Sequence, residues 1–435
     1  MNKKVSYLIV LTMMMALILS ACGGGKKNDE ASGSSEPSAS ASQSAPAGEK
    51  AKLTLWYWNG AISDSSIEAA KAKFPNIELK AEKLPPGDEY KTKLKTTLAG
   101  GGDGPDIVAM DSWVTEMLEY SDKFVNLYDQ GASEIKDQYL EWKWNMAATP
   151  DKKTLIALPI DVAPVVMFYR EDLFKQAGVP STPEEIKAKV KTWDDYIALA
   201  KTVKEKTKGS MGTIVDIYRN VINQLPKRYF DENGNFIGED GHVKQAWDTA
   251  VKAYQSGATF GMSSSSEANA ALNNGSIAST IGASWVKGDL IAAAPDTAGK
   301  WRIAYPAGGV GNQGGSFFGV LKSTKYPKEA YEVIKFLVSP DNLKKAFLEF
   351  GNYPSTPSVY GDADMKQPDA FFGNQAIGEV FGEAAKDVVV SHSDPRDGMV
   401  EDAIIQELTL VDTNKKDPEK AWKDALENVK RNLQR

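Results

Sequence analysis

Aromatic side chains adjoin carboxylates or amides at the ends of two predicted strands. Trp58 closes the β-prone run LTLWYW, and Asn59 follows it. Asp111, Ser112 and Trp113 come directly after the apolar run DIVAM. Indole rings pack against the C–H faces of a sugar, whereas carboxylates and amides bond its hydroxyls. Because open parallel sheets bind ligands beyond the carboxyl ends of their strands, these residues predict a site for a polyhydroxylated ligand. A core tryptophan before a turn and a helix N-cap are the structural alternatives.

Further candidates lie in the second half of the chain and at one apolar crossover. Trp285 follows Gly-Ala-Ser, whose small side chains allow close backbone approach while the ring stacks on a ligand. Asp161 lies in an apolar segment, where a buried carboxylate requires a partner or a ligand hydroxyl. Gly315 and Ser316 precede a predicted strand and offer N–H groups and a hydroxyl, with a simple turn as the alternative. Arg396, in the loop SDPRDG, is a candidate ligand contact or a solvated surface charge.

The glycine-rich stretch AGGGDGPDIVAMDSW invites comparison with a phosphate-binding loop. A P-loop requires Lys and Ser or Thr after its last glycine, and here Pro105 and Asp106 follow. The glycines are therefore predicted to end a helix and to turn the chain into the next strand, which delivers Asp111 and Trp113 to its far end.

The sequence does not favour an enzyme. His242 and His392 are the two histidines of the chain, and neither has a metal-ligand spacing. The run SHSD contains Ser, His and Asp, but residues adjacent in sequence do not have the geometry of a catalytic triad. No G-x-S-x-G motif is present. With 58 acidic residues, a glycosidase-like carboxylate pair cannot be singled out. We therefore predict no catalytic residue, no metal ion and no cofactor.

The N-terminal residues predict a lipid anchor. Residues 1–21 join a basic start to a short apolar run, and Cys22, the one cysteine of the chain, follows Leu-Ser-Ala. This pattern looks like a bacterial lipobox, with a plain secretory signal as the alternative. Residues 22–50 are mostly Gly, Ser, Ala, Pro or charged, which predicts a disordered tether. We expect anchoring to the outer face of a Gram-positive cell membrane. A net charge of −7 without a basic cluster disfavours nucleic-acid binding.

Hydrophobic periodicity predicts strands alternating with helices. This order favours a parallel sheet covered by helices on both faces. The principal predicted elements are strands at 53–58, 77–84, 106–110, 275–281 and 317–321, and helices at 63–74, 90–98, 191–207, 244–254 and 329–338.

Six segments in order resemble the family 1 extracellular solute-binding proteins, which are the carbohydrate receptors of ATP-driven importers. They are LTLWYWNG, GGGDGPDIVAMDSW, LPIDVAPVVMFYREDLFKQAGV, TWDDYIALAKTV, NNGSIASTIGASW and GGSFFGVLKSTKYPKEAYEVIKFLVSP. The resemblance covers essentially the whole chain after the tether. One departure is Arg170, where the family commonly has Asn, so no ligand role is carried over to that position.

The resemblance implies an α/β, two-lobed, periplasmic-binding-protein-like fold of type II. Each lobe would be a sheet flanked by helices, with more than one crossing segment at the hinge and the ligand between the lobes. Tyr353 falls where the family often adds a late stacking residue. The implied boundaries are 51–160 for lobe 1, 161–302 for lobe 2, 303–345 for the return to lobe 1, and 346–435 for a C-terminal helical segment mainly on lobe 2.

The predicted function is that of a substrate-binding lipoprotein of an ABC transporter. The protein would be a monomer that closes over a carbohydrate, most simply an oligosaccharide, and docks on the transmembrane permease subunits. A binding protein for a non-sugar solute is the nearest alternative, and a cell-surface glycan hydrolase is a more distant one.

Overall fold

Two large β-sheets with hydrophobic cores organise the described residues, and a two-stranded sheet links crossing segments of the chain. The structure, a computed structural model, describes residues 50–101, 104–261 and 264–434. The predicted signal peptide, Cys22 and nearly all of the predicted tether lie outside the described residues. The strands are β1 (Ala51–Tyr57), β2 (Ile77–Lys83), β3 (Ile107–Met110), β4 (Ala157–Pro159), β5 (Asp161–Val162), β6 (Val166–Arg170), β7 (Ser210–Met211), β8 (Ile277–Gly282), β9 (Trp301–Ala304), β10 (Phe317–Val320) and β11 (Tyr353–Pro354).

Helices cover both sheets and form the C-terminal part of the molecule. The α-helices are α1 (Asp64–Lys73), α2 (Asp88–Gly100), α3 (Glu141–Met146), α4 (Glu171–Ala177), α5 (Pro183–Lys189), α6 (Trp193–Thr207), α7 (Ile214–Asn223), α8 (Gly241–Gln255), α9 (Ser265–Asn274), α10 (Val286–Ala293), α11 (Pro327–Leu337), α12 (Pro340–Phe350), α13 (Ile377–Lys386), α14 (Asp397–Thr413) and α15 (Pro418–Leu433). Short 3-10 helices are Ser112–Lys123, Leu127–Gln130, Ala132–Gln138, Pro295–Thr297, Pro357–Val359 and Ala363–Lys366. In the part of the chain that the structure describes, no helix is both long and apolar enough to cross a bilayer.

The first sheet has the strand order β2-β1-β3-β10-β4. Strand β1 runs parallel to β2 and β3, with Leu55 opposite Ile107, whereas β10 is antiparallel to both β3 and β4. The prediction of a parallel sheet is therefore right for its first three strands and wrong for the whole sheet. The reason is that β10 returns from the other half of the molecule and enters this sheet in the reverse direction.

Helices pack on the first sheet and bury its central strand. All four residues of β3 are buried, as expected of a central strand covered on both sides. Leu94 and Leu98 of α2 and Ile334 of α11 join the same core. Helix α2 ends with Gly101 in the left-handed conformation, as the glycine-rich stretch predicted. We call this sheet and its core the first lobe.

The second sheet has the order β7-β8-β6-β9. Strand β6 is antiparallel to β8 and β9, and the rings of Trp247 and Trp422 meet at 5.3 Å in the core behind the sheet. A further apolar cluster, which includes Phe347, Tyr353 and Phe381, packs against Phe168 of β6. We call these cores with their sheet the second lobe. The boundary predicted between residues 302 and 303 falls inside β9, so the second lobe continues beyond it.

Three chain segments cross between the lobes and bond to one another. The segment after β4 pairs with the segment before β10, because the Ile160 N–H donates to the Ser316 carbonyl at 2.8 Å and the Val165 N–H to the Gly311 carbonyl at 3.0 Å. Strand β11 pairs with β5 in the third crossing. The expectation of more than one crossing segment is confirmed.

Candidate functional site

A cavity of about 460 Å³ opens between the lobes beside the crossing segments. First-lobe residues from α2, α3 and the 3-10 helix after β3 form one wall, and α7, α14 and the segment after β8 form the other. The middle of the cleft is lined by Asp111, Ser112, Trp113, Trp142, Met146, Asn223, Trp285, Asn312, Gln313 and Gly314.

The end of β3 brings three predicted residues to the cleft. Asp111 is the N-cap of the 3-10 helix Ser112–Lys123, and its carboxylate accepts a hydrogen bond from the Ser112 N–H. The Trp113 ring packs on Tyr90 with a centroid separation of 6.2 Å. Asp111 therefore has two roles. One of its carboxylate oxygens caps the 3-10 helix, and the residue also lines the cavity.

Trp285 approaches the same point from the second lobe. It follows β8 and precedes α10, and its indole is half-buried on the cleft wall. A Cβ added to Gly314 would lie 3.3 Å from Asp111 Oδ1 and 3.5 Å from Trp285 Cη2. A carboxylate of one lobe and an indole of the other therefore both lie beside the same glycine of a crossing segment.

Several cleft residues were not predicted from the sequence. Trp142 and Met146 lie on the six-residue helix α3, away from any strand end. Asn312 is held by the crossing segments, since its Oδ1 accepts from the Ala163 N–H at 2.9 Å and its Nδ2 donates to the Gly314 carbonyl at 2.9 Å. Within the described residues, the buried Oε1 of Gln313 has no hydrogen-bond partner. An amide with unused acceptor capacity suits a ligand hydroxyl.

A family model described as "Bacterial extracellular solute-binding protein" matches residues 58–344. The chain belongs to this family. A crystal structure of an extracellular solute-binding protein of family 1 is 30% identical with a TM-score of 0.80, and the match covers 88% of this chain and 99% of that one. The two-lobed α/β fold is confirmed, and membership in an extracellular family places this solute-binding protein outside the cytoplasm.

Two relatives of this solute-binding protein are named after sugars. The lactose-binding protein of Rhizobium radiobacter is 26% identical over 357 residues, which are 76% of this chain and 81% of the relative. The arabinooligosaccharide-binding protein of Bacillus subtilis (strain 168) is 28% identical over 352 residues, which are 76% of this chain and 79% of the relative.

Three other predicted residues of the solute-binding protein lie beneath the cleft rather than on its wall. Asp161 is buried, and its Oδ1 accepts from the Ser316 N–H at 2.6 Å. Gly315 and Ser316 are buried in the adjoining crossing segment. The partner that a buried carboxylate requires is therefore supplied by the protein, and these residues support the hinge under the cleft.

Lys143, a fully buried lysine, lies beside these residues beneath the cleft. Its Nζ lies 3.4 Å from the Gly314 carbonyl and 3.9 Å from the ring centroid of Phe317. Burial lowers the pKa of Lys143, and the carboxylates of Asp161 and Asp111 oppose that change. Burial likewise raises the pKa of Asp161, and Lys143 opposes that change. No sequence rule identified this lysine, because a single Lys in a short helix ordinarily faces solvent.

The remaining predicted residues do not line the cavity. Trp58 packs against Tyr90 at 5.2 Å in the first lobe, and Asn59 is exposed. Arg396 is an exposed side chain whose guanidinium contacts the Asp394 carboxylate at 2.7 Å. Trp58 packs against the first-lobe core, and Arg396 lies next to the cavity lining through its contact with Asp394.

Tyr353 corrects the prediction of a late stacking residue. Its side chain is fully buried between Phe347 and Tyr360, and its hydroxyl donates to the Gly378 carbonyl at 3.1 Å. The Tyr353 ring therefore belongs to the apolar cluster of the second lobe, and Tyr353 is a core residue instead of a cleft residue.

Proposed function

We propose that this protein captures a carbohydrate, and specifically an oligosaccharide, between its two lobes. The observation that carries the proposal is the set of three indoles in one cleft, those of Trp113, Trp142 and Trp285, beside Asp111 and the amide residues of the crossing segment. Indoles supply flat apolar area and carboxylates and amides supply hydrogen bonds, which is the combination that a sugar ring requires.

The size of the cleft and the names of the relatives support a ligand of more than one ring. A volume of about 460 Å³ falls within the common range for small-molecule sites, about 300–1,000 Å³. The relatives named above are a lactose-binding and an arabinooligosaccharide-binding protein, both named for saccharides longer than one unit. We propose a ligand of the same class for this chain.

Capture is proposed to lead to transport and not to chemistry on the sugar. A ligand that contacts both walls favours the closed arrangement by the contacts it gains there. The closed monomer would then dock on the transmembrane subunits of an ABC transporter. Incubation of purified protein with arabinooligosaccharides and lactose, followed by chromatography of the sugars, should show no product, and hydrolysis would contradict this assignment.

We also propose that Cys22 carries a lipid that holds the protein at the outer face of a Gram-positive membrane. Residues 22–50 would then serve as the tether. Labelling of cells with a fatty-acid analogue should mark the native chain and not the Cys22→Ser variant. Equal labelling of both would contradict the anchor.

The sugar assignment is tested by intrinsic tryptophan fluorescence. Purified protein without its first 21 residues is titrated with lactose, arabinobiose, arabinotriose, maltose and the corresponding monosaccharides. A saturable change with at least one oligosaccharide, and a weaker response to its monosaccharide, is expected because three indoles line the cleft. Indifference to every sugar would contradict the proposal.

A further inference from the structure

A charged side chain lies beneath the middle of the cleft without lining it. Lys143 is fully buried on the short helix α3, and Trp142 and Met146 of the same helix line the cavity. The Lys143 Nζ lies 3.4 Å from the carbonyl oxygen of Gly314, a glycine of the cavity lining. Removal of an ammonium group from water is costly, so lysines are rarely buried without a paired charge. The fold therefore keeps a costly charge directly under the candidate ligand site.

The charge of Lys143 is offset at longer range rather than by a direct ion pair. Within the described residues, its Nζ has one hydrogen-bond acceptor, the Gly314 carbonyl, and packs on the Phe317 ring of β10 at 3.9 Å. The charged groups that act on it are the carboxylates of Asp161 in β5 and of Asp111 at the end of β3. The other charged residue of α3, Glu141, is exposed. One of the two carboxylates that balance the buried ammonium thus belongs to the cleft.

Gly314 connects the ammonium to both walls of the cleft. Its carbonyl accepts from Lys143 Nζ and from Asn312 Nδ2, the latter at 2.9 Å. A Cβ on the same residue would lie 3.3 Å from Asp111 Oδ1 and 3.5 Å from Trp285 Cη2. Two donors therefore hold the one residue that lies beside a carboxylate of the first lobe and an indole of the second.

Lys143 also separates two carboxylates that repel one another. Asp111 raises the pKa of Asp161, and Lys143 opposes that rise. Charges interact more strongly in a protein interior than in water, so loss of the ammonium leaves this repulsion without compensation. Asp111 is the carboxylate of the two that lines the cavity, and a change in its position or charge alters the surface that meets a ligand.

We propose that Lys143 is a positioning residue that raises the affinity for the ligand without contacting it. Its ammonium holds the Gly314 carbonyl from beneath the cleft and attracts the Asp111 carboxylate, which keeps both in the arrangement that ligand hydroxyls require. The proposal rests on the proposed sugar-binding function and adds a residue that acts on the ligand through Gly314 and Asp111.

The first experiment is a calorimetric titration at pH 7.0 of the protein without its first 21 residues. The unaltered protein and Lys143→Met are titrated with lactose, arabinobiose, arabinotriose and maltose. For the sugar bound most tightly, the Kd of Lys143→Met should be about tenfold higher, as expected when an interaction with a charged group is lost. An unchanged Kd would overturn the positioning role and leave the sugar-binding proposal intact. Binding of none of the four sugars by the unaltered protein would overturn both.

Ile334→Ala is the control for lost stability. Ile334 is fully buried on α11 in the first-lobe core and lies outside the cleft lining. Its truncation should lower the melting temperature, as Lys143→Met does, but should leave the Kd unchanged. Circular dichroism of both variants before titration establishes that they are folded. An equal rise of Kd in the two variants would show that reduced stability alone weakens binding, and it would overturn the proposal.

The unaltered protein provides a test that needs no substitution. Burial lowers the pKa of Lys143, so its ammonium loses its proton at a lower pH than an exposed lysine does. Since the charged form attracts Asp111, the Kd of the unaltered protein should rise as the pH is raised from 7.0 to 9.5. Lys143→Met has no such proton to lose, and its higher Kd should change little over this range. A flat profile for the unaltered protein, or parallel profiles for the two proteins, would overturn the proposal.

A double-mutant cycle with Asp111→Asn distinguishes charge from packing. When the ammonium acts on the Asp111 carboxylate, Lys143→Met raises the Kd by a smaller factor in the Asp111→Asn background than in the unaltered protein. Equal factors in the two backgrounds would assign Lys143 a packing role alone and contradict its action through Asp111.

Discussion

Each lobe brings a different kind of side chain to the cleft. Asp111 of the first lobe supplies a carboxylate that also caps a 3-10 helix, and Trp285 of the second lobe supplies an indole. Both residues lie beside Gly314. Because the two residues belong to separate lobes, a ligand that contacted both would bridge the cleft.

Trp285→Ala should weaken binding of the preferred oligosaccharide about tenfold or more, as expected for an aromatic anchor in a desolvated site. Calorimetric titration measures the loss. Trp56→Ala is the matched control, since Trp56 lies on the first lobe beside Glu82, outside the cleft lining. Equal affinities for the two variants would remove Trp285 from the site.

The buried Lys143 and Asp161 should stabilise one another. Lys143→Met leaves Asp161 without its nearby cation and should destabilise the protein by about 3 kcal/mol. The double variant Lys143→Met, Asp161→Asn should lose less stability than the sum of the two single variants. Chemical denaturation of the four proteins measures this coupling, and strict additivity would contradict it.

The same pair predicts a pH dependence with a defined sign. In Lys143→Met, Asp161 keeps a raised folded pKa without a cation to oppose it, so the folded state favours the protonated carboxyl. An acid with a raised folded pKa gains stability as the pH falls. The deficit of Lys143→Met relative to the unaltered protein should therefore be smaller at pH 5 than at pH 7.5, and an equal deficit would exclude a buried charge as its cause.

At the scale of elements, the crossing segments allow little freedom at Gly315. Its φ is +95°, and a Cβ there would lie 2.5 Å from the Asp161 carbonyl oxygen and 2.6 Å from Lys143 Nζ. Gly309 also has a positive φ, of +118°, but a Cβ there would meet nothing within 4 Å. A side chain at either position would be strained by the positive φ, and the two positions differ in packing.

Gly315→Ala should therefore destabilise the protein by about 1–3 kcal/mol more than Gly309→Ala, because overpacking is added to the shared strain of positive φ. Urea denaturation compares the two variants with the unaltered protein. Similar stabilities would show that the crossing segments adjust freely at Gly315.

The helices and strands that were predicted from the sequence are those with local signals. Strand β2 was predicted at 77–84 and lies at Ile77–Lys83, and helix α6 was predicted at 191–207 and lies at Trp193–Thr207. The direction of β10 could not be predicted, since it depends on the path of the chain through the whole second lobe.

The cleft residues that could be predicted from the sequence are those that follow the end of a strand. Asp111, Trp113 and Trp285 follow strands and line the cleft, and their contact with a ligand stays a prediction. Tyr353 was wrongly placed in the cleft because its burial results from packing that no local pattern encodes. Trp142 lies on the short helix α3, away from any strand end, and only the three-dimensional arrangement shows that it lines the cleft.

For the whole molecule, a ligand that bridges the lobes should both stabilise and compact the protein. A concentration of 100 times the Kd adds about 2.7 kcal/mol to the stability of the folded state, which raises the melting temperature. Small-angle X-ray scattering should show a smaller radius of gyration with ligand. Trp285→Ala at the same sugar concentration is the control, and a radius that ligand does not change would argue against hinge closure.

The position of β10 also bears on how the chain acquires its structure. This strand lies between β3 and β4 in the first sheet, yet it is separated from β4 in sequence by most of the second lobe. The N-terminal sheet therefore stays divided, with open edges on β3 and β4, until residues 317–320 have been synthesised. Pairing over such a long sequence separation slows folding because much of the chain must be ordered before the contact forms. A nascent chain of this protein thus cannot complete its first lobe until nearly three quarters of it has been synthesised.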